Sequence, residues 1–191
     1  MSADSLSREA IRAIDPQDML GDVLAQPHQL GDALWRAGSA GIERSDMHGG
    51  LLVCGMGGSA IGAELAAAAA HDRAERPIRA VRDYSLEDWT HEDTLALCAS
   101  YSGETEETLS CYEDAGAKGI PRVALTTGGR LAELAREEGV PVIGVPAGFQ
   151  PREAVIYMTV CALEVAALWG AAAPLRGEIE GSAATVIRCP S

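Results

Sequence analysis

Hydrophobic positions in the middle of the chain form short, nearly continuous runs separated by longer stretches with helical periodicity. The runs lie at residues 51–54, 78–81, 94–99, 122–125 and 140–145. Apolar runs without alternation are typical of parallel strands that are covered on both faces. Helical stretches lie between the runs, at residues 60–70, 106–117 and 130–138. Strand and helix alternate, and right-handed crossovers then predict an α/β fold, a three-layer α-β-α sandwich.

Helical patterns flank this region on both sides. Residues 1–45 have two apolar stripes, and we expect them to form a helical prefix that packs on the domain; the stripes consist of Leu20, Val23 and Leu24, then Leu30, Leu34 and Trp35. A final helix over residues 152–169 is apolar on nearly every side, which predicts burial in the domain or in a subunit interface. Residues 171–191 have little periodicity and are expected to be a loose tail or linker stump. The expected domain is therefore 46–170.

Charge and composition narrow the partners. The net charge is −13 and the acidic residues are scattered, which argues against nucleic acid because binding to its backbone needs clustered Lys and Arg. Residues 1–10 lack an apolar signal core and the alanine-rich run 65–70 is too short to span a bilayer, so no membrane association is expected. The five cysteines show no zinc-site spacing and suit a reducing cytoplasm; Cys54 and Cys98 read as buried small hydrophobes.

The first motif with chemical potential is a glycine-rich turn from the first strand into a helix, Gly55-Met56-Gly57-Gly58-Ser59. Ligands of open parallel sheets bind at the carboxyl ends of strands, where helix N-termini present unpaired N–H groups to anions. The turn therefore predicts an anion site, although a tight turn without a ligand has the same sequence. The spacing Gly55-x-Gly57-x-x-Ala60 also resembles a dinucleotide fingerprint, with Asp83 as an ambiguous acidic partner.

A second motif follows the third strand and opens the next helix, Ser100-Tyr101-Ser102-Gly103-Glu104-Thr105. Its three hydroxyl groups can supplement the amide donors of the helix start, and a phosphate has several oxygens to satisfy. A hydroxyl-rich helix cap is the structural alternative. A third cluster, Thr126-Thr127-Gly128-Gly129, either lines the sugar end of the pocket or is a plain capping turn.

Together with Gly148-Phe149-Gln150-Pro151-Arg152 before the last helix, these motifs resemble the sugar isomerase (SIS) domain. More narrowly, they are similar to the amino-terminal half of bifunctional phosphoglucose/phosphomannose isomerases. The resemblance covers about residues 18–169 and implies a five-stranded parallel, flavodoxin-like sheet and no metal or cofactor. It also implies that the substrate phosphate is bound by Gly57, Gly58, Ser59, Ser100, Ser102, Gly103 and Thr105.

The same resemblance places Arg152 where the family has an arginine that is proposed to stabilise an enediolate intermediate. A permanently charged guanidinium suits that role. The family's catalytic glutamate, lysine and histidine come from a second domain or a second subunit. Glu153 is a possible base, because single-domain hexulose-phosphate isomerases carry a glutamate near this helix start; the alternative is an ordinary first-turn glutamate. His48, His71 and His91 are expected at the opposite, amino edge of the sheet, and His28 in the prefix.

Three functions follow as expectations. The first is aldose–ketose isomerisation of glucose 6-phosphate or mannose 6-phosphate to fructose 6-phosphate, with this chain as an amino-terminal half or shortened form, expected to be a cytoplasmic homodimer through its C-terminal helix. The second is a non-catalytic module that senses sugar phosphates. The third is a dinucleotide-binding domain of an oxidoreductase.

Overall fold

A single parallel sheet forms the centre of the molecule, whose computed structural model describes residues 7–188. It has five strands in the order β2-β1-β3-β4-β5, with every adjacent pair parallel. The strands are β1 (Leu51–Cys54), β2 (Ile78–Val81), β3 (Leu95–Ala99), β4 (Arg122–Thr126) and β5 (Val142–Gly144). Strands β1 and β3 are buried along their whole length, which explains why their sequences do not alternate.

Helices cover both faces of the sheet. One face carries α2 (Met19–Ser39), α3 (Gly57–Ala69) and α6 (Val155–Trp169). The other carries α4 (Glu106–Ala117) and α5 (Gly129–Glu137). The predicted three-layer sandwich with a five-stranded parallel sheet is therefore confirmed.

The prefix consists of α1 (Arg8–Ile14) and α2, and only the second half of α2 is well packed. Ala33, Leu34 and Ala37 are buried against α6, and the Tyr157 hydroxyl of α6 donates to Asp32 Oδ2 over 2.9 Å. The first apolar stripe, at Leu20, Val23 and Leu24, is exposed instead. Periodicity placed both stripes on helix faces, but the core extends only under Leu30 and Leu34 of the second, because Trp35 is 64% exposed.

The last helix of the predicted sandwich, α6, lies inside the domain, with ten buried residues between Tyr157 and Trp169. The segment after it was expected to be loose, and this expectation is wrong, because α7 spans Arg176–Arg188. Ile179 is buried in the core cluster, and Arg176 pairs with Glu164 of α6 over 2.6 Å. Arg73 also pairs with Glu178 of α7, and Arg176 donates to the Leu34 carbonyl oxygen over 3.3 Å. The division of the chain into domains stays a prediction.

Candidate functional site

The two predicted phosphate motifs lie at adjacent strand ends. The glycine turn, residues 55–59, connects β1 to α3, and the serine loop, residues 100–105, connects β3 to α4. Strands β1 and β3 are neighbours while α3 and α4 pack on opposite faces, and open α/β sheets of this topology have their ligand crevice between two such helix starts at the carboxyl edge. Neither helix start has a side-chain cap, so first-turn N–H groups of both helices are left for a ligand.

Hydroxyl groups within the serine loop divide into buried and accessible ones. Ser100 is 1% exposed; its Oγ lies 2.8 Å from Thr105 Oγ1 and accepts a hydrogen bond from the Gly103 N–H over 3.1 Å. Ser100 therefore shapes the loop from within. Ser102 is exposed, and its Oγ accepts from the Glu104 N–H over 3.2 Å, which leaves its own proton free to donate. Ser59, on the glycine turn, is 7% exposed.

Close backbone contact brings Arg152 to the glycine turn. A Cβ at Gly58 would lie 2.9 Å from the Pro151 carbonyl oxygen and 3.7 Å from Arg152 Cα. Only glycine fits there without displacing one of the two segments. The Arg152 side chain is exposed and makes no hydrogen bond or ion pair with the side chains that the structure describes, those of residues 7–185. It is therefore free to meet a bound anion.

Glu153 has a structural partner in the described structure. Its Oε2 accepts a hydrogen bond from the Gln150 N–H over 2.8 Å, so the carboxylate caps the turn that precedes α6. The side chain is half-buried. These contacts match the alternative of an ordinary helix-start glutamate, and its role as a base stays a prediction.

The third cluster, residues 126–129, is occupied by protein groups. Glu104 Oε1 accepts from the Arg130 N–H over 2.8 Å, so a carboxylate already lies at the start of α5. Thr126 Oγ1 donates to the Gly128 carbonyl oxygen, and Thr127 Oγ1 donates to the Tyr101 carbonyl oxygen. These bonds are those of a capping turn that supports the serine loop.

Sequence reasoning missed the function of Tyr101 and of Gly103 in joining these loops. The Tyr101 hydroxyl bonds to the segment that precedes Arg152, at Pro146 and Phe149. Gly103 has a φ of +75°, and a Cβ there would overlap the Gly128 carbonyl oxygen. In the sequence, the available signal for the Tyr101 contact was a tyrosine between two serines of the loop.

His48 and four cysteines are either paired or buried, whereas Glu106 and Glu107 are carboxylates in the first turn of α4. His48, before β1, lies at the amino edge, with its Nδ1 3.0 Å from an Arg76 nitrogen. Cys54, Cys98 and Cys161 are buried, and burial raises the pKa of Cys161 to about 12. The Cys54 thiol and burial together raise the pKa of Cys111. The thiols of Cys54, Cys111 and Cys161, whose pKa values are raised, therefore stay protonated near neutral pH.

Residues 7–188 contain no group of three or more His, Cys, Asp and Glu side chains arranged to hold a metal ion. None of their helices is long and apolar enough to cross a membrane.

Solved structures with the same architecture define the class of fold. A candidate phosphosugar isomerase from Silicibacter pomeroyi DSS-3 superposes with a TM-score of 0.65 at 20% identity, over 86% of this chain and 54% of its own. Phosphoheptose isomerase from Neisseria gonorrhoeae gives 0.56 at 18% identity, over 79% and 97%. The Vibrio vulnificus NanR protein complexed with ManNAc-6P gives 0.50 at 20% identity, over 92% and 72%. The chain has the fold of SIS phosphosugar isomerases.

Sequence relatives belong to a narrower class of proteins than the structures that share the fold. The chain is 42% identical over 130 residues to the bifunctional phosphoglucose/phosphomannose isomerase of Caldicellulosiruptor bescii, and 44% identical over 110 residues to that of Aquifex aeolicus. The matches cover 68% and 57% of this chain, but only 38% and 34% of those relatives' lengths. No family model matches the sequence. The resemblance seen in the motifs is confirmed, for a chain that spans well under half of these relatives.

Proposed function

We propose that this chain binds a hexose 6-phosphate at the crevice between β1 and β3 and takes part in its aldose–ketose isomerisation. In this proposal it corresponds to the amino-terminal part of a phosphoglucose/phosphomannose isomerase, or to a shortened form of one. The observation that carries the proposal is the meeting of the glycine turn, the serine loop and Arg152 at one strand edge.

Phosphate binding follows from the donors that converge there. The uncapped starts of α3 and α4 supply N–H groups and two helix dipoles, which favour an anion even in a protein of net charge −13. Ser102 donates a hydroxyl proton, while Ser100 holds Thr105 in place. Hydrogen bonds to a charged group contribute about 1.5–3 kcal/mol each, so a few such donors suffice for micromolar binding.

Isomerisation requires removal of the proton at C2 of the aldose and its return at C1. Negative charge then develops on the enediolate oxygens, and the unpaired Arg152 guanidinium is suited to stabilise it. The proton needs a base, usually Glu or His, within hydrogen-bond reach. Glu153 is engaged by the Gln150 N–H, and His48 lies against Arg76 at the amino edge, so neither is placed to act as that base.

The base therefore comes from outside the described residues in this proposal, either from a further domain or from a second copy of the chain. If a second copy supplies the base, we propose that the two copies form a homodimer through α6. Because α6 is mostly enclosed by α2 and α3, only half-buried positions such as Ile156 and Thr159 are available for it. A cytoplasmic location also belongs to this proposal.

One observation favours the sensor function, and another counts against the dinucleotide domain. A sugar-phosphate sensor would have these loops without a base, and the similar NanR structure is a complex with ManNAc-6P. A dinucleotide domain would use Asp83, but its Oδ1 already accepts a hydrogen bond from the Tyr84 N–H over 2.7 Å. The second observation makes the dinucleotide function the weaker of the two.

Thermal unfolding with and without ligand tests the proposal. At 100 times Kd, a ligand that binds only the folded state stabilises it by about 2.7 kcal/mol, or roughly 5–11 °C for a domain of this size. We expect this shift with fructose 6-phosphate and glucose 6-phosphate, but not with fructose or glucose. A shift with NAD and none with any sugar phosphate would favour the dinucleotide domain. A coupled isomerase assay then separates a sensor from an enzyme.

A further inference from the structure

We propose that Tyr101 is a positioning residue, whose phenol fixes Arg152 relative to the phosphate loops. The inference rests on the proposed function. It concerns the arginine segment, residues 146–153, which connects β5 to α6 and carries Arg152.

The Tyr101 hydroxyl makes two hydrogen bonds to the arginine segment. It donates to the Pro146 carbonyl oxygen over 3.1 Å and accepts from the Phe149 N–H over 2.9 Å. One hydroxyl thus connects the two ends of a turn that contains Gly148, whose φ is +106°. The two bonds use the phenol as donor and acceptor at once, which no phenylalanine can replace.

The backbone of Tyr101 is fixed independently of the arginine segment. Its carbonyl oxygen accepts from Thr127 N–H over 3.1 Å and from Thr127 Oγ1 over 2.8 Å. Its neighbour Ser100 is buried and bonded within the serine loop. Tyr101 therefore starts from a rigid part of the phosphate site and reaches across to the arginine segment.

Besides the packing of Phe149 against the core, the other ties on the arginine segment are local or exposed. Gln150 and Glu153 bond to each other within the segment, and Gln150 Nε2 donates to Gln17 Oε1 at an exposed site. The Phe149 ring packs on the Tyr157 ring with centroids 5.9 Å apart. The Arg152 side chain has no partner of its own among the side chains of residues 7–185. Its position over Gly58 thus depends on the backbone of the segment, and Tyr101 connects that backbone to the serine loop by side-chain hydrogen bonds.

Loss of the Tyr101 hydroxyl should therefore weaken the binding of ligands that contact Arg152 and leave phosphate binding nearly unchanged. Arabinonate 5-phosphate carries a carboxylate in place of the enediolate, so it engages Arg152, whereas glucitol 6-phosphate is charged only at its phosphate. We expect Tyr101→Phe to weaken arabinonate 5-phosphate by about 3- to 10-fold, the scale of one or two neutral hydrogen bonds. Glucitol 6-phosphate should change by less than about 2-fold.

Calorimetry on four proteins tests this: the parent, Tyr101→Phe, Arg152→Ala and the double variant. If Tyr101 acts through Arg152, its effect disappears in the Arg152→Ala background. Tyr84→Phe is the matched control, because its exposed phenol makes no hydrogen bond with residues 7–188. Equal losses for both ligands, or additive losses in the double variant, would overturn the inference and indicate a general structural role.

Hydrogen exchange of the Phe149 amide separates this inference from the proposed function, since it needs no ligand. We expect faster exchange at Phe149 in Tyr101→Phe and no change in Tyr84→Phe. Unchanged exchange at Phe149 would show that Tyr101 does not hold the segment. If the parent binds neither sugar phosphate, the proposed function fails, and with it the role assigned to Arg152, whatever the exchange result.

Discussion

Substitution of Gly103 by alanine tests how the serine loop is supported. Gly103 lies in the left-handed region, with φ +75°, and its new methyl group would overlap the Gly128 carbonyl oxygen. The left-handed conformation costs an alanine about 1–2 kcal/mol. Forcing the loop away from residues 126–129 adds about 1–3 kcal/mol, the usual cost of overpacking.

A matched variant separates these two costs. Gly119 has almost the same φ, +69°, but an added Cβ there meets no atom within 4 Å. Gly119→Ala should therefore lose only the conformational part, so that Gly103→Ala is less stable than Gly119→Ala by about 1–3 kcal/mol.

Urea denaturation of both variants and the parent measures this difference, and binding of fructose 6-phosphate is measured on the same samples. We expect Gly103→Ala to lose affinity as well, because displacement of the loop moves Ser102 and Thr105. Equal stability losses in the two variants, with unchanged binding in Gly103→Ala, would refute the contact between the two loops.

Three further predictions concern hydroxyls, a carboxylate and thiols. Ser102→Ala should weaken fructose 6-phosphate binding in calorimetry by about 1.5–3 kcal/mol with little change in stability. Ser100→Ala should reduce both the affinity for fructose 6-phosphate and the stability of the fold, because the buried partners of Ser100 are left unpaired. Burial alone would raise the pKa of Asp114, but hydrogen bonds from Lys118 and the Leu86 N–H lower it. The stability that the Asp114 carboxylate contributes is therefore present above its ordinary pKa of 3.8 and is lost as the pH falls through the lower pKa of the folded state. Melting curves recorded at acid pH should show that Asp114→Asn lacks this loss of stability. Cys54 and Cys111, with raised pKa values and no exposure, should resist alkylation at pH 8 until the chain unfolds, which mass spectrometry of labelled peptides would detect.

The sheet was predictable because the burial of its central strands on both faces shows in the composition of each of those strands alone. Strands β1 and β3 are buried on both faces, so their runs are apolar without interruption, and the glycine and serine motifs follow them at once. Parallel order then places both motifs on one edge. The closeness of Arg152 to the glycine turn was available from the resemblance, and the structure adds the contact at Gly58.

Contacts between distant segments were not predictable. Glu104 reads as a solvent-exposed loop residue, yet its carboxylate lies at the start of α5, 26 positions further along the chain. Tyr101 reads as a spacer between serines, yet its hydroxyl bonds Pro146 and Phe149. Helix α7 is held by one buried apolar residue, Ile179, and by ion pairs of Arg176 with Glu164 and of Glu178 with Arg73, and a single buried apolar position leaves no periodic pattern.

A crystal structure of the chain with bound fructose 6-phosphate shows directly where the ligand binds. We expect the phosphate between the starts of α3 and α4, with its oxygens within hydrogen-bond distance of Ser102 and of first-turn N–H groups, and with the sugar directed toward Arg152. A phosphate bound anywhere else on the molecule, or a crevice that stays empty at saturating ligand, would contradict it.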